Sequence, residues 1–199
     1  MDLLKKAKGF LADPVKEFET SKDETLEEAV KYYLFIAAVY SLLSAIMTSI
    51  IYSIVSSIVT QNVDPKYIVL EPRGFAELFS DFFMSLVLML ICVFIWGAII
   101  HGMAYIMGGR GEIQRTVKVA MYSSTPLILL GWIPMLGIFG WIWVGALNVV
   151  GLHQYQDLPA GKAIAAVILP IVLLIILAIV LVVVAVTTII PMVLEGISV

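Results

Sequence analysis

Between Tyr32 and Val59 the chain carries no charged side chain at all. A helix over that stretch extends roughly 42 Å, more than the ~30 Å hydrocarbon core of a bilayer, so the run reads as a tilted or projecting transmembrane span. Two further runs reinforce this. Phe82 to Met107 is interrupted only by His101, and the stretch from Ala163 to Val193 carries no charge, with Pro170 near the start and Pro191 near the end. Composition agrees, since 61% of the chain is hydrophobic and 14% charged, against about 25% charged in soluble domains. The expected fold is an all-α, polytopic membrane helical bundle.

Net charge is −3, with the charges gathered ahead of Tyr32 and in loops. No basic stripe exists to neutralise phosphates, which excludes nucleic acid as a partner. The single cysteine, Cys92, lies inside an apolar run, so no intramolecular disulfide forms. A removable signal peptide is not expected, because the first apolar run is too long for an h-region and charged residues precede it.

Residues 1–31 hold six lysines and eight acidic residues. Within them Leu3, Leu4, Ala7, Leu11, Val15 and Phe18 recur at three- or four-residue spacing, as in an amphipathic helix that lies on a membrane surface. Asp13-Pro14 reads as an N-cap with proline at the first helical position, and Ser21 to Glu24 fits a capping box. This short amphipathic segment, residues 1–31, is the expected cytoplasmic domain. Residues 32–199 form a transmembrane domain with five spans at about 32–59, 82–107, 117–133, 135–152 and 163–193.

In the first span Ser41, Ala45, Ser49, Ser53 and Ser57 continue a four-residue repeat begun at Ala37, making a small-side-chain ridge that lets helix backbones approach closely in lipid. The same ridge offers a surface for a homo-oligomer. Gly108 to Gly111 end the second span in a tight turn and lack the Gly-Lys-Ser/Thr of a phosphate loop. Arg110, Arg115 and Lys118 beside that turn are candidate contacts to lipid headgroups. The third and fourth spans are near the lower length limit for a crossing. Pro126 removes a backbone donor and clashes with the carbonyl of Tyr122, so a helix break is expected there, with Ser123, Ser124 and Thr125 re-pairing the freed groups. Trp132, Trp141 and Trp143 flank the turn between these spans and suit an interface.

Ten of the twelve lysines and arginines fall before span one or in the loops after spans two and four. That asymmetry places the N-terminus in the cytoplasm and the C-terminus outside the cell membrane. A re-entrant hairpin over residues 117–152 would leave the tally unchanged.

Counting 1.5 Å per residue from the inner ends of the spans puts His101 and Ser123 roughly 9 Å deep and Asn148 roughly 6 Å. Polar groups at such depth face the bundle interior. The expectation is a polar layer built from His101, Ser123, Ser124 and Asn148, with His153 and Tyr155 just below it. The histidines have no metal-ligand spacing and the spans contain no acidic residue, so neither a metal site nor a cofactor is expected. Gly-x-Ser-x-Gly and His-Glu-x-x-His are absent, which argues against an enzyme.

Asp13-Pro14 with Phe18, His101, Gly108-Gly109-Arg110-Gly111, Tyr122-Ser123-Ser124-Thr125-Pro126, Trp143, Gly151-Leu152 and Lys162-Ala163 together resemble the Yip family of Ypt/Rab-interacting integral membrane proteins, in its prokaryotic form. The resemblance implies five transmembrane helices and a cytoplasmic N-terminus. Its eukaryotic members are associated with vesicle trafficking and prenylated small GTPases, and carry a longer N-terminal region than the short segment ahead of Tyr32 here. The functional expectation is a non-enzymatic multi-pass membrane protein. It contacts membrane lipid and binds protein partners through its N-terminal segment and inner loops, or organises lipid. The alternative is a channel, transporter or lipid-handling protein that uses the broken third helix and the polar layer.

Overall fold

Helix α3, Leu26–Asn62, contains the long uncharged run and is the spine of the computed structural model, which describes residues 2–64, 66 and 70–189. Thr25 caps it: its hydroxyl accepts the Glu28 amide at 3.2 Å while the Glu28 carboxylate accepts the Thr25 amide at 2.8 Å. This reciprocal box replaces the one expected at Ser21–Glu24. Ser21 instead closes the preceding helix, and Glu24 is drawn away to Lys6 and Tyr122.

Ahead of α3 lie two short helices, α1 (Leu3–Ala12) and α2 (Pro14–Thr20). Asp13 caps α2 through the Lys16 amide with Pro14 in the first turn, as its sequence predicts. After α3, helix α4 (Phe75–Ile106) returns antiparallel to it; Tyr33 donates to the Met89 carbonyl at 2.9 Å and Ser41 to Ser85 at 3.2 Å. Helix α4 ends at glycine because Gly108 adopts φ 100°, which lets Gly109 and Gly108 donate to the carbonyls of Ala104 and Tyr105.

Residues 117–133 are not one helix. Helix α5 is Ile113–Ser123, a 3₁₀ turn covers Thr125–Ile128, and a tight tip leads into α6, Gly137–Tyr155. Helix α7, Ala160–Val184, follows and ends in a π turn at Ala185–Ile189. The last residues of the expected fifth span, with Pro191, lie outside the described residues. Three helices, α3, α4 and α7, are long and apolar enough to cross a membrane by length and composition. No strand occurs among the described residues.

Short α5 is the centre of the packing. It lies against α3, α4 and α6, and every residue from Thr116 to Leu127 is buried. Glycine on either side makes this closeness feasible. A Cβ on Gly151 of α6 would fall 2.5 Å from Val119 and 2.9 Å from Phe18, and one on Gly97 of α4 would fall 3.1 Å from the Val117 Cα. Helix α5 fills the space between α3, α4 and α6 only at the end of the bundle where α3 begins, called here the near end. Helix α7 packs on α6 and α4 through Ala163, Ala166, Val167 and Pro170, and the large apolar side chains from Ile171 to Val186 are exposed.

Candidate functional site

The near end is closed by α1 and α2. Their apolar face is not free for a membrane surface: Phe10 and Phe18 are wholly buried, in an aromatic cluster with Tyr32 of α3, Tyr122 of α5 and Tyr155 of α6. Phe10 stacks on Tyr122 with ring centroids 5.1 Å apart, and Phe18 meets Tyr155 edge-on at 5.8 Å. The buried face is rotated from the sequence pattern, for Leu4 and Val15 are exposed while Lys6 and Phe10 are buried.

Lys6 supplies the polar centre of this cap. Its ammonium sits 4.3 Å from the Tyr122 ring centroid and pairs with the carboxylate of Glu24, which also accepts the Tyr122 hydroxyl at 2.5 Å. Cation, ring and carboxylate satisfy one another, which a buried charge requires. Lys118 completes the seal by donating to the backbone carbonyls of Lys22 at 2.9 Å and Glu24 at 2.6 Å. Lys22 in turn reaches the Gln154 carbonyl at 2.8 Å, and Gln154 the Val15 carbonyl at 2.9 Å. Glu17, packed over Gly9, has its carboxyl pushed up from the ordinary value chiefly by partial burial.

The residues of the expected polar layer lie on α4, α5 and α6 but make separate bonds. His101 pairs with Thr116 at 3.0 Å, and Thr116 also accepts from Gln156 at 2.7 Å. Ser124 bonds the Ala120 carbonyl and Asn148 the Val144 carbonyl, each one turn back along the chain. Among the described residues Ser123 Oγ and Asn148 Oδ1 are buried without a hydrogen-bond partner. His153 is exposed and contacts the Leu158 carbonyl at 2.5 Å. Arg110 and Arg115 are exposed, whereas Lys118 turns inward to the carbonyls already described. On the α3 ridge Ser41 and Ala45 are buried, Ser49 half-buried, and Ser53 and Ser57 exposed.

The break at Pro126 is closed locally. Thr125 donates to the Tyr122 carbonyl, the one the proline leaves without its helical donor, at 2.6 Å, and shares a 2.7 Å hydrogen bond with Tyr32. Sequence reasoning missed Lys6, Glu24, Thr116 and Gln156. Gln156 was the most findable, because its side chain accepts the Gly111 amide at 2.8 Å from a turn that the glycines already marked. Among the described residues no three His, Cys, Asp or Glu side chains converge on a metal-holding point.

A family model, the Yip1 domain, matches residues 8–194. The chain belongs to the Yip1 domain family. The match takes in most of the capping helices as well as the three long apolar helices, so most of the near-end seal lies within the family domain of this membrane protein, with Lys6 just ahead of it. No curated protein and no solved structure matches the chain.

Proposed function

We propose that this Yip1-domain protein is a non-enzymatic membrane scaffold that crosses the bilayer five times, with residues 1–31 as a cytoplasmic cap on the membrane domain of residues 32–199. The cap presents a rigid, charged face to protein partners. One observation carries the reading: Ala7, Phe10 and Phe18 of α1 and α2 are buried against the bundle, while Asp2, Lys5, Lys8, Asp13 and Lys16 stay exposed along a groove of about 800 Å³. Preorganised polar surfaces bind at a smaller ordering cost than loose segments.

The five-crossing count draws support from α4. From Asp81 to His101 that helix rises roughly 30 Å, about one hydrocarbon core. Asp81, ion-paired with Arg73, lines a cavity with Thr48 and Trp141; Thr48 and Trp141 also border the cavity at the hairpin tip, with Met135. A tip level with Asp81 and a base level with His101 support reading α5 with its 3₁₀ turn as one crossing and α6 as another. The lysine and arginine count supports a cytoplasmic N-terminus, and we take the cell membrane as the location. Arg110 and Arg115 contact headgroups at the inner surface, and the exposed Ser53–Ser57 half of the ridge is open to lipid or to a second copy.

Crosslinking in native membranes followed by mass spectrometry tests the partner role. Replacing Lys5, Lys8 and Lys16 by Glu should remove the crosslinked partners while the melting temperature of the purified protein holds. Partners retained by this triple variant would refute the assignment.

A further inference from the structure

Helix α3 packs on α4, α5 and the 3₁₀ turn rather than on α6. Past the 3₁₀ turn the hairpin folds back on itself instead: a Cβ added to Gly140 of α6 would lie 3.3 Å from the Gly131 nitrogen. A cleft is left between α3, α4 and the hairpin. Two cavities make it up, of about 380 and 350 Å³, and they adjoin because Ser44, Thr48 and Trp141 line both. Each has room for on the order of ten waters at ~30 Å³ apiece.

Tyr40, Ser44 and Thr48 stand on successive turns of one α3 face, and all three line the cleft. None of these side chains is buried, and among the described residues none of their hydroxyls has a hydrogen-bond partner. Other hydroxyls of the same helix do find one. Ser41 bonds Ser85, while Ser53 and Thr60 turn back to the carbonyls of Ser49 and Ser56. That local bond is open to any serine or threonine in a helix, yet Ser44 and Thr48 forgo it and face the cleft. Hydrocarbon offers a hydroxyl nothing in exchange, so the occupant of the cleft is polar.

The lining also says which polar occupant it suits. Asp81 is its one charged residue, and that carboxylate is already paired with Arg73, which lies over the Tyr52 ring at 5.2 Å. Met47, Met84, Leu88 and Met89 make the walls apolar, so an ion entering loses hydration and meets no free counter-ion. Trp141, exposed where the two cavities adjoin, offers a flat apolar face.

We propose that this cleft is a water-filled binding pocket for small uncharged solutes that carry hydrogen-bonding groups. The solute's polar groups bond the hydroxyls of Tyr40, Ser44 and Thr48, and its carbon skeleton lies against Trp141. The inference rests on the bilayer placement proposed above, with the Thr48 end of the cleft at one face and Tyr40 about 12 Å deeper.

Single cysteines in a Cys92→Ser background test it, in the full-length protein in phosphatidylcholine nanodiscs. Thr48→Cys and Ser44→Cys lie in the cleft, and Leu42→Cys and Ile46→Cys on the exposed opposite face of the same helix. Iodoacetamide, itself small, uncharged and hydrogen-bonding, is the probe solute; iodoacetate brings the same reactive carbon with a negative charge. Alkylation needs the thiolate, which forms in water and not in hydrocarbon, so positions 48 and 44 should react with iodoacetamide at least roughly tenfold faster than 42 and 46. The iodoacetamide-to-iodoacetate rate ratio at Ser44→Cys should exceed that at Glu71→Cys, an exposed loop position, by roughly tenfold, the cost of carrying a charge between apolar walls. Ser44→Cys as slow as positions 42 and 46 would show a lipid-filled cleft and overturn the proposal. Fast reaction at all four positions would overturn it by refuting the bilayer placement on which it rests. Equal rate ratios at positions 44 and 71 would overturn the preference for uncharged solutes.

Discussion

Lys6 is 5% exposed in a segment whose sequence reads as an amphipathic helix on a membrane surface. Periodicity locates an apolar stripe, but it cannot tell that the receiving surface is a ring of tyrosines with a carboxylate beside it. On such a surface a lysine stem packs and its head finds both a π-face and a counter-ion, which is why the buried face is rotated toward Lys6 and Phe10. Asp13-Pro14 was legible because capping is local chemistry; Glu24 was not, since its partners Lys6 and Tyr122 lie 18 and 98 residues away. Glu17 carries the residue-scale prediction. Burial raises its carboxyl above the ordinary value, so the folded cap favours the protonated form. Its contribution is therefore fully present below the ordinary glutamate pKa and is lost as pH rises through the raised value. Glu17→Gln should raise the melting temperature slightly at neutral pH and leave it unchanged in acid, as followed by thermal scans across that range.

Among the elements, α3 and α4 were plain from length and absence of charge, because lipid demands long apolar helices whatever they pack against. The break near Pro126 was equally plain. The length of α5 was not, for its sequence is polar enough to look like a loop margin, and only the surrounding α3, α4 and α6 make that stretch an interior helix. Small residues mark the fit. Gly151→Ala should cost about 1–3 kcal/mol through overpacking against Val119 and Phe18, whereas Gly161→Ala, with nothing within 4 Å of the added Cβ, should be neutral or slightly stabilising. Thermal melts of both variants in one detergent decide the matter; equal stability would mean that α6 does not press on α5 and α2 as described. Helical rise alone put His101, Ser123 and Asn148 at similar expected depths, with Ser124 beside them. Their bonding was not foreseen, because hydroxyl and amide groups in a helix can turn back to a carbonyl one turn away instead of reaching a neighbour.

At the scale of the molecule, a helical membrane bundle was readable from charge-free length, and the proposed five crossings turn on the hairpin tip. Met135, at that tip, is 86% exposed. In a Cys92→Ser background, Met135→Cys and Glu71→Cys should both react with a membrane-impermeant maleimide from outside intact cells, while Asp157→Cys should stay unlabelled until the membrane is permeabilised. Protection of position 135 in intact cells would favour a re-entrant hairpin. The near-end seal also imposes an order on biosynthesis. Val15 and Lys22 meet Gln154 across 139 and 132 residues, so α1 and α2 leave the ribosome long before the surface that receives them exists. Loop-closure entropy makes such a contact late in any case. Docking of the cap on α6 therefore waits until α6 has been made, and a nascent chain lacking α6 leaves Phe18 without Tyr155, an aromatic edge by which unfinished copies differ from finished ones.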